Sequence, residues 1–203
     1  ASDVYKRQNP LLVSIIFVIA VIKIFHIDYE TYNSGAKYIS YLLTPATVCL
    51  AIPLYRQISV LKEHAKEVFI GILAGVLASM GSILLMSYLF GLTHEQYVTL
   101  LPKSITTAIG MGVSEELGGI QTITVAVIII TGVLGNIIAE AVLKIFRIKE
   151  PVAKGLAIGT ASHAIGTTKA LEIGEIEGAM SSLSVAVAGL MTVISASIFA
   201  NMM

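Results

Sequence analysis

The sequence predicts an all-α, polytopic integral membrane protein. Of its 203 residues, 56% are hydrophobic and only 13% are charged, and the mean hydropathy is +0.86. The charged share is about half of the ~25% that is typical of soluble domains. Residues 68–92 contain no charged side chain, and about 20 apolar residues are enough to cross the hydrocarbon layer. The expected architecture is about five full transmembrane helices plus two discontinuous or re-entrant segments.

Charge and cysteine content argue against several classes of function. The formal net charge at pH 7 is zero, so no long-range field favours a nucleic acid or an anionic surface as the partner. The single cysteine, Cys49, offers neither a disulfide framework nor a metal cluster. Phosphate-loop and dinucleotide-binding motifs are missing as well. We therefore expect no nucleic-acid partner, no metal and no cofactor.

The first eight residues differ in character from the rest of the chain. Ala1–Gln8 is polar, begins with alanine instead of methionine, and is too short and too polar for a signal peptide. The apolar part of the chain begins at Asn9. We expect residues 1–8 to be a non-native or spliced start, and residues 9–203 to form a single transmembrane domain that is truncated at its N-terminus.

The first two apolar segments are short. Pro10–Phe25 is apolar almost throughout and predicts a span. A polar connector, residues 27–37, separates it from the second segment, Tyr38–Leu54. This second segment contains Pro45 and Pro53, and because proline removes a helical hydrogen bond we expect a kinked helix there.

The third apolar segment is the clearest. It comes after a connector, residues 55–67, whose alternating charges predict a solvated helical face. Within the uncharged stretch 68–92, three small residues recur at four-residue spacing, namely Gly71, Gly75 and Ser79. Such a stripe is typical of close packing between helices.

The two remaining long helices each come after a polar segment rich in small residues. Ile120–Phe146 comes after residues 98–113, in which proline and glycine disfavour a continuous helix. Ala179–Ala200 comes after residues 155–177, which end in a connector with three glutamates. Polar backbone at membrane depth is expected only where it is buried in protein or lines a wet cavity.

Basic residues predict the orientation. Lysine and arginine concentrate in the connectors 55–67 (three) and 144–154 (four), and such residues favour the cytoplasmic side. If residues 98–113 crossed the membrane completely, the helix 120–146 would bring its basic end to the opposite side. We therefore expect 98–113 to re-enter from outside and 155–177 to dip in from the cytoplasm.

The two broken segments together predict an inverted repeat. Each precedes a long helix, and they enter from opposite faces, as in secondary transporters that bring helix ends to a site at the membrane midplane. Residues 103–110 and 161–169 are also similar in composition, because both contain Lys, Ser, Thr-Thr and Ala-Ile-Gly.

The chemistry of these segments predicts a small organic anion as the ligand. Helix N-termini offer unpaired N–H groups and a positive dipole end, hydroxyl groups donate hydrogen bonds, and lysines supply a counter-charge. A histidine at membrane depth is a candidate for proton coupling. The predicted substrate-binding residues are Lys103, Ser104, Thr106, Thr107, Asn136, Thr160, Ser162, His163, Thr167, Thr168 and Lys169.

Simpler structural roles stay open for several of these residues. The two lysines can be interfacial, and His163 can be a packing residue. Glu140 lies one turn before Lys144, which favours an ion pair between them over proton coupling. Ser162 and His163 are neighbours with no acid placed to orient them, so no catalytic triad is predicted and we do not expect an enzyme.

Five motifs in the second half of the chain are Leu101-Pro-Lys-Ser-Ile-Thr-Thr107, Glu116-Leu-Gly-Gly-Ile120, Ile130-Thr-Gly-Val-Leu-Gly135, Gly155-Leu-Ala-Ile-Gly-Thr-Ala-Ser-His-Ala-Ile-Gly-Thr-Thr-Lys-Ala170 and Glu177-Gly-Ala-Met-Ser-Ser-Leu-Ser184. They resemble motifs of the LrgB/CidB family, and the resemblance runs from Asn9 to the C-terminus. The chain departs from the family pattern in two ways. Family members have a further hydrophobic segment ahead of the position of Asn9, so we expect a first helix to be missing here, and they have a proline where this chain has Ala108.

What the resemblance implies is a multi-pass protein of the bacterial inner membrane with one of two functions. Members described as antiholin-like act with a small LrgA/CidA-type membrane protein to modulate murein hydrolase activity and autolysis. Other relatives are described as carriers of small monocarboxylates, namely pyruvate in bacteria and glycolate or glycerate in the plastid envelope. The broken polar segments favour the carrier, and the non-transporting regulator is the alternative. We also expect an LrgA/CidA-type partner and a homo-oligomeric state.

Overall fold

A computed structural model of the chain describes residues 10–42, 45 and 51–203. The described part is helical and contains no strand, which confirms the predicted all-α class. The predictions for residues 1–8 and for Cys49 lie outside the described residues. The helices are α1 (Pro10–Ile24), α2 (Tyr29–Ser40), α3 (Ala51–Arg56), α4 (Ile58–Glu63), α5 (Ala65–Phe90), α6 (His94–Leu100), α7 (Thr107–Glu116), α8 (Gln121–Ile145), α9 (Pro151–Ile173) and α10 (Glu175–Ala200).

The chain divides into two units, Ala1–Leu50 and Ala51–Met203. In the first unit, α1 is an apolar helix of 15 residues, as predicted for this segment. The polar stretch 27–37, predicted as a connector, is mostly helical because it belongs to α2. The predicted span Tyr38–Leu54 is described only at residues 38–42, 45 and 51–54, so its kink stays a prediction.

The second unit contains three helices that are long and apolar enough to cross a membrane, α5, α8 and α10. Their positions confirm the long helices predicted for this region. The described residues therefore indicate a helical membrane protein, and the count of five spans stays a prediction. Helix α5 ends at Gly91, which has a left-handed φ of 62° that glycine adopts without strain. Thr93 then forms a capping box with Gln96 and starts α6.

The small residues of α5 pack closely against α9, as their spacing predicts. A Cβ atom added at Gly71 would lie 3.3 Å from a methyl group of Leu156, and one added at Gly75 would lie 3.1 Å from the side chain of Thr160. A methyl group at either position would already require its neighbour to shift by a few tenths of an ångström, and a bulkier side chain would push the helices apart.

The segment between α5 and α8 reverses direction inside the unit, and we call residues 94–116 the first hairpin. Its two ends lie at the start of α8, because the Thr124 hydroxyl donates to the Thr99 carbonyl at 2.9 Å and lies 2.7 Å from the Ser114 hydroxyl. Its middle reaches Ser79, which lies near the centre of the 26-residue α5 and donates a hydrogen bond to Ser104. The interrupted helix predicted here is confirmed.

Helix α9 is also interrupted, and we call residues 151–173 the second hairpin. The backbone at His163 is not helical, with φ 42° and ψ −145°, and the chain turns back at this residue. Both ends of the hairpin meet the start of α10: Gly155 packs against Met180, and Leu171 packs against Gly178. The second hairpin thus consists of two arms, residues 151–162 and 164–173, that run in opposite directions.

The predicted acidic connector before the last helix is wrong. Only Gly174 separates the second hairpin from α10, which begins at Glu175 instead of at residue 179. The glutamates at the start of α10 favour the helix, because a negative charge stabilises the first turn. Glu177 also forms an ion pair with Lys154 at 3.6 Å.

The two hairpins open toward opposite ends of the second unit. The first hairpin lies at the end of α10, where the Tyr97 hydroxyl donates to the Phe199 carbonyl at 2.9 Å. The second hairpin opens at the start of α10, where Gly155 and Leu171 make their contacts. The middle of the first hairpin and the first arm of the second meet between α5 and α10, since Ser104 and Thr160 line the same small cavity.

Candidate functional site

Four hydroxyl groups surround the cavity at which the two hairpins meet. We call it the hydroxyl cavity and define it by Ser79, Ser104, Thr160 and Thr192. The rest of its wall is apolar, and its volume is about 10 Å³. That is room for about one water molecule. The arrangement can therefore solvate a small polar group, but in this conformation it is closed to anything larger.

Lys103 lies beside the hydroxyl cavity. Its ammonium group donates hydrogen bonds to the Ser104 hydroxyl at 2.9 Å and to the Ser79 hydroxyl at 3.4 Å. Its side chain is partly buried, and no carboxylate lies within ion-pair distance of it in the part of the chain that the structure describes. A cation that is withdrawn from water without an opposite charge is costly. An anion bound here would therefore be stabilised.

Two further predicted residues come after Lys103 on the first hairpin. Thr106 is the residue that precedes the first turn of α7, and its side chain does not cap that turn. Thr107 is the first residue of the helix. Both residues are partly buried. The first N–H groups of α7 have no carbonyl partner within the helix.

His163 forms the turn of the second hairpin. The imidazole is 2% exposed, and its Nε2 lies 2.9 Å from the Ile128 carbonyl of α8. Because a carbonyl oxygen only accepts, Nε2 must donate the hydrogen. A Cβ atom at Gly132 would lie 2.7 Å from the imidazole, so glycine at this position leaves space for the ring. His163 therefore fixes the hairpin turn to α8.

The other polar residues of the second hairpin also hydrogen-bond within the protein. Asn136 of α8 donates to the Ile165 carbonyl at 3.0 Å and to the Thr168 hydroxyl at 2.9 Å. Thr167 donates to the His163 carbonyl at 3.1 Å, and its hydroxyl lies 2.8 Å from that of Ser181. These bonds satisfy the backbone that the turn interrupts.

Lys169 lies in an ion-pair network at the open end of the second hairpin. Its ammonium group is 2.7 Å from the Glu140 carboxylate of α8 and 3.1 Å from Glu172. The sequence predicts Lys144 as the partner of Glu140, whereas the structure pairs Glu140 with Lys169. The charge of Lys169 is thus already balanced, unlike that of Lys103.

Comparison with known proteins identifies the family. The family model of the LrgB-like family matches residues 4–202. The chain belongs to the LrgB-like family. Similar curated relatives are the antiholin-like proteins LrgB of Bacillus mycoides (strain KBAB4), Bacillus cereus (strain B4264) and Bacillus anthracis (strain CDC 684 / NRRL 3495). Each is 39% identical over 186 residues, which cover 92% of this chain and 81% of the relative. No solved structure matches the chain.

Nine of the eleven residues predicted for the substrate site fall into three groups, and the other two, Thr106 and Thr107, lie at the start of α7. Lys103, Ser104 and Thr160 come together at the hydroxyl cavity. A second group stabilises the second hairpin from within or from α8. The third is Lys169 with its carboxylate partners. The second group consists of Asn136, Ser162, His163, Thr167 and Thr168.

Two residues of the hydroxyl cavity were not predicted. Ser79 appeared in the sequence only as part of the small-residue stripe of α5. Thr192 is one of several hydroxyl residues of α10, and no neighbouring motif marks it as a cavity residue. The described residues also contain no group of three or more His, Cys, Asp or Glu side chains close enough to hold a metal ion.

A double-mutant cycle tests the contact between α8 and the second hairpin. Lys169→Gln and Glu140→Gln are each expected to destabilise the protein, with a coupling free energy of about 0.5–1 kcal/mol because the pair is partly exposed. The exposed fractions of the two side chains are 20% and 49%. The measurement is an unfolding titration in mixed micelles.

The pair Arg56–Glu175 is the matched control for this cycle. Its charged atoms are 4.0 Å apart, and both side chains are more than half exposed. We expect its coupling free energy to be near zero, because exposed pairs are screened by water and salt. Equal coupling in the two pairs would contradict a structural role for the Lys169 contact.

Proposed function

We propose that this LrgB-like chain is a membrane carrier for small monocarboxylates such as pyruvate or glycolate. The observation that supports it best is Lys103, a partly buried cation held by two serine hydroxyls and without a carboxylate partner among the described residues. A carboxylate is the natural counter-ion, because charge-assisted hydrogen bonds to an ammonium group are among the strongest in proteins. The first turn of α7 adds N–H groups and a positive dipole end nearby.

The arrangement of the two hairpins suits a transport pathway across the membrane. They open toward opposite ends of the second unit and meet at the hydroxyl cavity, which suits a site that faces each side of the membrane in turn. At about 10 Å³ the cavity is too small for a three-carbon acid, so the substrate requires the hairpins to separate. In the present conformation the hydroxyl cavity is therefore closed to this substrate.

The proposed carrier also has a defined orientation in the membrane. The chain lies in the bacterial inner membrane with about five full spans, and its two hairpins are re-entrant and form an inverted repeat. The basic residues of 55–67 and 144–154 face the cytoplasm. The first hairpin then opens outward and the second opens inward. The carrier is a homo-oligomer, works with a small LrgA/CidA-type membrane protein, and is not an enzyme.

The alternative is a regulator of murein hydrolase activity that transports nothing itself. The curated relatives are named antiholin-like proteins, which favours this alternative. A regulator of this kind has no need for an unpaired lysine beside a closed polar cavity. The two functions are compatible if metabolite flux controls autolysis.

Uptake into proteoliposomes distinguishes the two functions. We expect saturable uptake of labelled pyruvate, glycolate or lactate by the purified chain, either alone or together with its small membrane partner, and no uptake by protein-free vesicles. His163→Ala and Lys169→Ala, checked for folding by their melting curves, test whether the second hairpin is also required. No uptake of any of the three acids under any ion gradient, alongside clear control of autolysis in cells, would favour the regulator.

A further inference from the structure

A wide pocket lies where α8 ends and the second hairpin begins. We call it the basic pocket and define it by Lys144, Arg147, Lys149 and Lys154, which line it together with Glu140. Its volume is about 520 Å³. Ligand sites in proteins have volumes of about 300–1,000 Å³, so the pocket has room for a ligand much larger than a three-carbon acid.

The charges of the basic pocket are not balanced within the protein. Lys154 pairs with Glu177, and Glu140 pairs with Lys169. The other three basic side chains have no carboxylate within ion-pair distance in the part of the chain that the structure describes, and all three are exposed. Basic residues at this end also orient the protein, but orientation does not require them to surround one cavity. Three clustered cations favour an anionic ligand.

The pocket also has an apolar side. Leu143, Ile148 and Ile173 form part of its wall. The neighbouring Ile145 and Phe146, at the end of α8, are 74% and 72% exposed. Because α8 is a candidate membrane span, its end lies where the hydrocarbon layer meets the headgroups. The ligand therefore meets cations and apolar surface at the same depth.

We propose that the basic pocket binds the phosphate headgroup of an anionic phospholipid, whose acyl chains lie along the exposed apolar residues at the end of α8. Basic pockets between membrane helices suit such headgroups. Arginine and lysine together provide the bidentate and point-charge contacts that phosphate prefers. The inference is independent of the proposed transport activity.

The position of the lipid gives it a structural effect. Glu140 and Lys154 line the pocket and also form ion pairs with Lys169 and Glu177, which lie in the second hairpin and at the start of α10. A bound headgroup would therefore contact both ion pairs that hold the open end of the second hairpin. We expect the lipid to stabilise this end of the protein.

Native mass spectrometry of the full chain in a neutral detergent tests the proposal. The probes are phosphatidylglycerol, phosphatidylcholine, inorganic phosphate and glycerol 3-phosphate. We expect phosphatidylglycerol to bind about tenfold more tightly than phosphatidylcholine, and this preference to fall by about tenfold in Arg147→Gln/Lys149→Gln. Both side chains are exposed, so the double variant is expected to fold, which its melting curve checks.

The matched control is Lys62→Gln/Lys66→Gln, which removes the same charge from exposed positions outside the pocket. It should keep the lipid preference to within about twofold. An equal loss in both double variants would show diffuse attraction and would overturn the proposal. Binding of inorganic phosphate or glycerol 3-phosphate as tight as that of the lipid would overturn it in favour of a free-anion site. No preference between the two lipids would also overturn it.

Discussion

Lys103→Met is expected to lower monocarboxylate uptake into proteoliposomes by about 100-fold. The substitution leaves the carboxylate of the bound substrate without its counter-charge, and removing one partner of a buried charge pair costs roughly 2–5 kcal/mol. The ammonium group is the only cation that hydrogen-bonds to the serines of the hydroxyl cavity among the described residues. Lys103→Arg keeps the charge and is expected to retain part of the uptake. The measurement is the initial rate at several substrate concentrations.

The stability of the same variant separates a binding role from a structural one. Lys103→Met removes a partly buried cation that has no carboxylate partner in the described part of the chain, so the melting temperature in detergent is expected to stay level or rise. A folded variant with normal uptake would show that Lys103 is an interfacial lysine. A variant that loses both uptake and stability would indicate that the lysine serves the fold instead.

Gly135→Ala is expected to destabilise the protein by about 3 kcal/mol, at the upper end of the cost of overpacking a core. A Cβ atom at this position of α8 would lie 2.6 Å from the Cβ atom of Ser162 and closer still to its hydroxyl. Rotation of the serine side chain does not relieve the contact with Cβ, so the second hairpin would have to move away from α8. An unfolding titration in mixed micelles measures the loss.

A substitution at Ser162 tests whether its contact with residue 135 causes the loss of stability. Ser162→Gly removes both offending atoms, and in combination with Gly135→Ala it should recover more than half of the lost stability. Gly81→Ala is the control, because a Cβ atom there meets nothing within 4 Å, and it should be neutral or stabilising by up to about 1 kcal/mol. If Ser162→Gly restores none of the stability that Gly135→Ala removes, the predicted contact between the two residues is absent.

The sequence predicts the long helices and their packing well, because both depend on local patterns. The sequence alone shows the charge-free stretch that forms α5 and the four-residue spacing of Gly71 and Gly75. The structure contains both the helix and its close contact with α9. The interruptions of the first and second hairpins are also foreseeable from their glycine, proline and hydroxyl content.

Contacts between distant segments are harder to predict. Glu140 lies one turn from Lys144, but its partner in the structure comes from the second hairpin, 29 residues along the chain. The turn itself lies at His163, a residue with positive φ, where local preference would place glycine. Here the contacts of the imidazole with α8 outweigh backbone preference. Thr192 joins the hydroxyl cavity only through the tertiary fold.

The position of α10 has a consequence for the order in which the protein is assembled during synthesis. The second hairpin packs its glycines against this helix, with Gly155 next to Met180 and Gly159 next to Ser184, and the first hairpin is held through Tyr97 to its far end. A ribosome makes α10 after both hairpins, at about 5–20 residues per second. Until then, both polar hairpins lack the partner that buries them. The nascent chain must therefore keep these segments close to water, or shielded by the insertion machinery, until α10 emerges.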